Sequence, residues 1–378
     1  MQKEFMHVPQ GDFELNRFPY SKKEKLRAWD AADEYLLNHC NESLKTEKSQ
    51  RILIINDSYG ALSVPLSINN DVTLWSDSFL SEQGVNNNFN LNLVSQDRYC
   101  FINSLAGLSS QFDVVIMKVP KSHALLEDQL IRLLPFVHKD TLFVSAAMVK
   151  NIHTSTLKLF EKIIGETKTS LAVKKARLIF SEIKESKNSI TSPYPKCYQL
   201  ENTSYKICNH ANVFSREKLD IGTRFFLEHI PVSDVYENIV DMGCGNGLLG
   251  LVAADKNPQA KIIFTDESYM AVESASLNMK SSGLTNEADF FAMDCLQKLE
   301  ADTADLILNN PPFHQQHATG DAVAWRMFND AKRVLKKGGE FLVIGNRHLD
   351  YHTKLKKIFG NCELIASNKK FVILKSLN

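Results

Sequence analysis

At 378 residues, 44% of them hydrophobic, the chain is too long for one ordinary core and apolar enough for two. Lysine plus arginine and aspartate plus glutamate number 44 each, so bulk charge neither selects nor excludes a polyanionic partner; a nucleic-acid surface would have to arise by local clustering. The seven cysteines (Cys40, Cys100, Cys197, Cys208, Cys244, Cys295, Cys362) include no C-x-x-C pair and no zinc-type spacing with histidine, and are read as reduced thiols with no metal.

The first thirty residues carry Asp12, Glu14, Arg17 and Lys22-Lys23-Glu24-Lys25 and no apolar stretch of signal-peptide length. No later run is long enough to span a bilayer, so a cytoplasmic protein without a membrane partner is expected.

In chain order, the first half alternates short β-branched runs with helical spacing: Arg51 to Ile55, Asp71 to Trp75, Asp113 to Met117 and Thr141 to Val144. A polar stretch from Lys184 to Ser189, continuing through Ser192-Pro193-Tyr194-Pro195, breaks that rhythm and sets a domain boundary between 190 and 191. The second half resumes with Asn238 to Val240, Lys261 to Thr265, Ala304 to Leu308 and Glu340 to Ile344, which read as buried parallel strands. Helix-spaced apolar residues fill Leu248 to Ala254, Met270 to Met279 and Ala322 to Leu335, the last stopped by Lys336-Lys337-Gly338-Gly339. The expected fold is α/β, with two open, doubly wound sheets in tandem, 1–190 and 191–378, related by internal duplication.

The halves differ at two loops. Where the second has Gly243-Cys244-Gly245-Asn246-Gly247, the first has Asn56-Asp57-Ser58-Tyr59-Gly60; where the second has Asn310-Pro311-Pro312-Phe313, the first has Lys118-Val119-Pro120-Lys121. The scaffold is kept and the chemistry is lost from the first half. A glycine loop between strand and helix lets a ligand approach backbone and aims amide N–H groups at it. A dinucleotide fingerprint needs glycine at 248, which is Leu248. Asp241, opening the loop, suits a ligand with an ammonium and a sulfonium, S-adenosylmethionine. Asp266 at the next strand end is placed for the ribose hydroxyls and Asp294 for the adenine amine. Two consecutive prolines hold Asn310 and nearby carbonyls in a rigid array into which a planar NH2 group can donate, with Phe313 stacking on the ring that carries it. His314 and His317 are read as surface-loop residues rather than bases.

Together with the run from Val213 to Gly222 and Asn346-Arg347-His348-Leu349-Asp350-Tyr351, these motifs resemble the RsmC/RlmG family of ribosomal RNA guanine-N2 methyltransferases, most closely its large-subunit (23S) branch. The motif-bearing likeness covers about residues 198 to 378; the family's degenerate amino-terminal domain matches the first half in rhythm. The resemblance implies two tandem Rossmann-like class I methyltransferase domains, the first degenerate and the second binding S-adenosylmethionine. It implies 23S rRNA or a large-subunit assembly intermediate as partner, and a segment from Phe214 to Gly222 that helps close over the methionine end of the cofactor.

Asn-Pro-Pro-Phe also suits adenine N6 or protein glutamine N5 as acceptor, and a catalytically silent RNA-binding or ribosome-assembly protein is the alternative from another class. Basic residues cluster at Lys174-Lys175 with Arg177, at Lys332-Arg333 with Lys336-Lys337, and at Lys354, Lys356 and Lys357. Each is a solvated face unless it shares a side with the site mouth.

Overall fold

The computed structural model describes residues 4–21, 24–44, 48–184, 190–312 and 317–378, and no side chain of 317–321. The chain forms two compact units, Met1–Pro193 and Tyr194–Asn378. Among the described residues no helix is long and apolar enough to cross a membrane, and no cluster of His, Cys, Asp and Glu could hold a metal.

The first unit opens with a hairpin, β1 (Phe5–Val8) and β2 (Gly11–Glu14), and then helix α1 (Ala31–Ser43), whose Asp30 and Asp33 form a capping box. There follow β3 (Arg51–Ile55), α2 (Ser63–Leu66), β4 (Asp71–Ser76), α3 (Phe79–Leu91), β5 (Tyr99–Asn103), β6 (Val114–Lys118), α4 (His123–Leu133), β7 (Leu142–Met148), α5 (Thr154–Ile163), β8 (Thr167–Thr169) and β9 (Ala176–Ser181). The sheet order is β5-β4-β3-β6-β7-β9-β8, parallel except at the β7-β9-β8 end. Both faces are covered: Ile52 and Ile54 pack with α1 residues such as Leu36 on one side, and Leu53 and Ile55 pack with α4 and α5 residues such as Leu130 and Phe160 on the other. The strands therefore read as continuous apolar runs.

The second unit begins with a hairpin of β10 (Lys196–Gln199) and β11 (Lys206–Asn209), then α6 (Ile221–Leu227) and β12 (Asn238–Met242). It continues through α7 (Leu248–Lys256), β13 (Lys261–Asp266), α8 (Tyr269–Ser281), β14 (Ala288–Ala292), β15 (Ala304–Asn309), α9 (His317–Val334), β16 (Leu335–Asn346), α10 (Tyr351–Phe359), β17 (Glu363–Ser367) and β18 (Phe371–Leu377). Its order, β14-β13-β12-β15-β16-β18-β17, is that of the first unit strand for strand.

The registers make the two units comparable residue by residue. Ile55 pairs with Trp75 and Met117, and Met242 pairs with Thr265 and Asn309. One residue further on, Asn56 stands where Gly243 stands and Lys118 where Asn310 stands.

At the edge of the second sheet β18 returns antiparallel beside β16 and pairs antiparallel with β17, completing seven strands. Two local expectations change. The helix preceding Lys336 stops at Val334, since Leu335 already pairs with Ala304; Gly338, at φ 80°, serves a register shift inside β16 rather than a helix end. Cys197 and Cys208, read as reduced, form a disulfide, because the hairpin sets them directly opposite with their Cα atoms 4.0 Å apart.

The first unit's loop is closed by its own side chains. Asp57, 2% exposed, accepts from the backbone N–H of Gly60, Ala61, Leu62 and Ser63 at 2.8–3.1 Å, and from the Ser63 hydroxyl. Asn56 and Gln129 exchange amide hydrogen bonds at 2.8 and 2.9 Å, and Lys118 Nζ lies 2.8 Å from Asp30 and 2.7 Å from Asp33. Donors that a nucleotide ligand would need are already committed. An Asp57→Ala substitution orphans several buried donors, each costing about 1–3 kcal/mol, so it is expected to destabilise the first unit by at least about 3 kcal/mol in urea melts. A loss below about 1 kcal/mol would mean water replaces the carboxylate readily.

Candidate active site at the glycine loop and the end of β15

Ligands of open α/β sheets bind outside the carboxyl ends of the strands, and the candidate residues converge there on β12, β13 and β15. Gly243, Gly245 and Gly247 all take positive φ, 72°, 55° and 76°. They are needed for different reasons. A Cβ on Gly247 would lie 2.6 Å from Ala275 Cβ, so this glycine lets α7 pack on α8, whereas a Cβ on Gly245 meets nothing within 4 Å and faces open space. The loop offers room more than donors: the amides of Gly243 and Cys244 donate to the Thr265 carbonyl, Gly245 to Asp266 Oδ2 and Gly247 to the Cys244 carbonyl. The sequence had suggested amides aimed at a ligand; the fold uses them to hold the loop to β13.

Asp241 is 1% exposed, and its Oδ2 accepts from Gly250 N–H at 2.8 Å. Its Oδ1 is buried with no hydrogen-bond partner among the described residues. Burial pushes its pKa up to about 8, against the Gly250 hydrogen bond that lowers it, with Asp266 nearby raising it further. Asp266 accepts from Gly245 and Ser268 amides, each at 3.0 Å, and burial raises its pKa as well. Asp294 instead pairs with Arg326 at 2.8 Å and accepts from the Cys295 thiol.

At the end of β15, Asn309 Nδ2 donates to the Met242 carbonyl at 2.7 Å and ties β15 to β12. Asn310 turns the other way: its Nδ2 donates to Thr223 Oγ1 at 3.1 Å, and its buried Oδ1 has no partner among the described residues. Pro311 is buried and Pro312 exposed, while Phe313 and His314 lie outside the described residues.

Phe214 is 59% exposed. Gly222 is buried in α6, where a Cβ would come within 3.0 Å of Asp220 Oδ2 and 3.2 Å of the Phe371 ring. Two contributors escaped the sequence reading. Thr223 lies 87 residues before Asn310, so only its place three residues after the cap Asp220 could have marked it. Asn278 holds the loop carbonyl of Asn246 at 2.9 Å and pairs with both backbone groups of Cys208 in β11.

These features fit an S-adenosylmethionine-like group: an unpaired buried carboxylate oxygen for an ammonium, a side-chain-free space over Gly245, and a carboxylate at the β13 end for hydroxyls. Comparisons with known proteins extend this reading. Residues 3–185 match the RLMG N-terminal domain and 204–375 the methyltransferase small domain. Over the full length, the fold matches a T. thermophilus 16S rRNA N2 methyltransferase (RsmC) solved with AdoMet and guanosine, with a TM-score of 0.77, 18% identity, and 100% and 98% of the two chains covered. The chain is 44% identical to a ribosomal RNA large subunit methyltransferase G of Streptomyces coelicolor, covering 98% of this chain and 100% of that protein. It is 48% identical to one of Photobacterium profundum, covering 96% of each. Likeness at this level along nearly all of both chains means that the chain belongs to the ribosomal RNA large subunit methyltransferase G family.

Proposed function

We propose that this chain transfers a methyl group from S-adenosylmethionine to the exocyclic N2 amine of a guanine in 23S ribosomal RNA, in the cytoplasm. The observation that carries the reading is the buried Asn310 Oδ1 at the end of β15, without a partner among the described residues and on the same strand edge as the Gly245 space. An acceptor in that position suits an incoming NH2 group. The substrate class follows from the family to which the chain belongs.

When bound, the cofactor supplies an electrophilic methyl on a sulfonium. Asp241 Oδ1 would take its ammonium and Asp266 its ribose hydroxyls, with room for it over the Gly243–Gly247 loop. Asp294, paired with Arg326, bounds the adenine end, and Phe214 and Gly222 border the methionine end. The guanine amine is a poor nucleophile because its lone pair is delocalised into the ring. Asn310 Oδ1 and the Pro311 carbonyl accept from its two N–H groups, favouring a pyramidal nitrogen with its lone pair aimed at the methyl. Pro312 stiffens that turn and Phe313 stacks on the base, which has to be unpaired or flipped out. The nitrogen becomes acidic only as the methyl arrives, so no strong base is required. The first unit, its loop filled by Asp57, serves to position RNA.

Methyl transfer from labelled S-adenosylmethionine to unmodified large-subunit rRNA, followed by nucleoside analysis, tests this directly. N2-methylguanosine is expected, with kcat lowered about 10²–10³-fold in Asn310→Ala. Label in adenosine or in protein would keep the cofactor and overturn the acceptor.

The Asp241 pKa gives a second test. With a folded value of about 8 against an ordinary 3.8, the unfolded chain is ionised and the folded chain protonated between those values, so raising the pH favours unfolding there. Cofactor-free wild type is expected to lose stability relative to Asp241→Asn from pH 3.8 up to about 8, the difference then levelling. Melts of both proteins at stepped pH measure it, and a constant difference would show a carboxylate already ionised when folded.

A further inference from the structure

The two edges of the second unit's sheet differ in how their cations are neutralised. At the amino ends of the parallel strands, Lys261 pairs with Glu287 and Asp289, and Lys336 pairs with Glu237 and Asp305 at 2.8 and 2.9 Å. Lys375 lies between Glu340 and Glu363, and Arg333 holds the Leu296 and Leu299 carbonyls. The basic run Lys332-Arg333 with Lys336-Lys337 belongs to this edge, with Lys332 tied to the Ile358 carbonyl and Lys337 the exposed cation there without a carboxylate in ion-pair range among the described residues. At the carboxyl ends, β16 runs out at Asn346 directly opposite the first residue of antiparallel β18, Phe371. That pairing brings Arg347 beside Lys369 and Lys370: Arg347 N–H donates to the Lys370 carbonyl at 3.1 Å, and its guanidinium to the Asn368 carbonyl at 3.0 Å. All three are exposed, and among the described residues none has a carboxylate in ion-pair range.

We infer that Arg347, Lys369 and Lys370 form the rim on which the phosphate backbone of the RNA substrate docks beside the site. The rim is contiguous with the catalytic residues: Phe371, next to Lys370, packs on Gly222, and Gly222 adjoins Thr223, which holds Asn310. A cation already bound to a carboxylate gains little from a phosphate. An unpaired one releases its own counterion and the phosphate's, which makes docking strong at low salt and weak at high salt. The anchored Arg347 fork also suits a phosphate's two oxygens.

This rests on the RNA-methylation reading, and the test separates the two. Full-length Arg347→Glu/Lys369→Glu/Lys370→Glu is assayed on unmodified large-subunit rRNA across a salt series, beside Lys337→Glu on the opposite edge and the milder Lys369→Gln/Lys370→Gln. The triple variant is expected to raise the KM for RNA by about tenfold or more and to flatten its log–log salt dependence by about 2 units, from three lost contacts. S-adenosylmethionine affinity and kcat at saturating RNA stay unchanged, the glutamine pair shifts KM in the same direction, and Lys337→Glu shifts nothing. Wild-type KM and salt slope in the triple variant would overturn the docking rim alone. A wild-type enzyme inactive on every RNA would remove the reading beneath it.

A separate observation fixes which end of the Asn310 amide meets the substrate. Asp220 Oδ2 accepts from the Thr223 amide at 3.0 Å and from the Thr223 hydroxyl at 3.4 Å. With Oδ2 accepting from both groups, the one hydroxyl proton of Thr223 is directed to Asp220 and a lone pair is left facing Asn310. Only the NH2 end of Asn310 can answer, and Oδ1 must face the substrate. The first unit keeps this junction in another form: Asp33, three residues after the cap Asp30, binds Lys118.

The geometry assigns Thr223 as a positioning residue that acts through Asn310. Thr223→Val frees the amide to turn over and is expected to lower kcat by about tenfold or more with the KM for S-adenosylmethionine within about twofold, and Thr223→Ser restores kcat. In an Asn310→Ala background the valine substitution adds nothing further. A Thr223→Val enzyme with wild-type kcat, or a serine variant as slow as the valine one, would overturn the assignment.

Discussion

Polar atoms buried at the carboxyl ends of the central strands have no bulk water to turn to, and each unit's answer to that demand decides whether it can take a ligand. In the first unit the loop residues find internal partners, while Trp75 Nε1 and Ser145 Oγ on the neighbouring strands stay buried without one among the described residues. Asp57 gathers the amides at the start of α2, Asn56 and Gln129 satisfy each other, and the Lys118 ammonium is held by two aspartates. In the second unit, Asp241 Oδ1, Thr265 Oγ1, Asn309 Oδ1 and Asn310 Oδ1 are buried acceptors without partners among the described residues. One strand order and one register carry both outcomes.

Unpaired buried acceptors each cost about 1–3 kcal/mol in a folded protein. Several in one small region are offset where a ligand supplies the donors, and ammonium, amine and hydroxyl donors are what the proposed cofactor and base would bring. The asymmetry between the units thus has a thermodynamic sense: one commits its strand-end groups to internal hydrogen bonds, the other leaves acceptors unpaired where incoming donors can reach them. Functional sites are where such local rules are broken.

What the sequence made legible follows the same division. Continuous β-branched runs marked the central strands, because strands buried on both faces leave no alternation to obscure them. Glycine spacing marked the tight loop after β12, because positive φ at Gly243, Gly245 and Gly247 restricts residue choice strongly. The outer strand β14 was missed as a strand; its residues are all only half-buried, so it lacks the apolar density that betrays the centre. The Cys197–Cys208 bridge depended on a short polar hairpin that places two cysteines opposite each other, a pairing that no local spacing rule encodes. Thr223 was hidden for a related reason. Its meaning comes from a contact across 87 residues, and a threonine three positions after an aspartate otherwise reads as the ordinary start of a helix.

The edge-to-edge difference in charge extends the reasoning from single atoms to a surface. An overall balance of 44 cationic and 44 anionic residues conceals an arrangement in which one end of the second unit's sheet pairs Lys261, Lys336 and Lys375 with carboxylates while Arg347, Lys369 and Lys370 at the other end have none in ion-pair range among the described residues. Strand direction produces that arrangement, since antiparallel β18 must begin where β16 ends, beside the site. The turns that flank this junction lie outside the packed core, so their composition is free of the demand for apolar residues and can be set by what approaches the site. Net charge could not have indicated an RNA face, because the relevant quantity is the charge left unpaired on the strand edge that also carries Asn310.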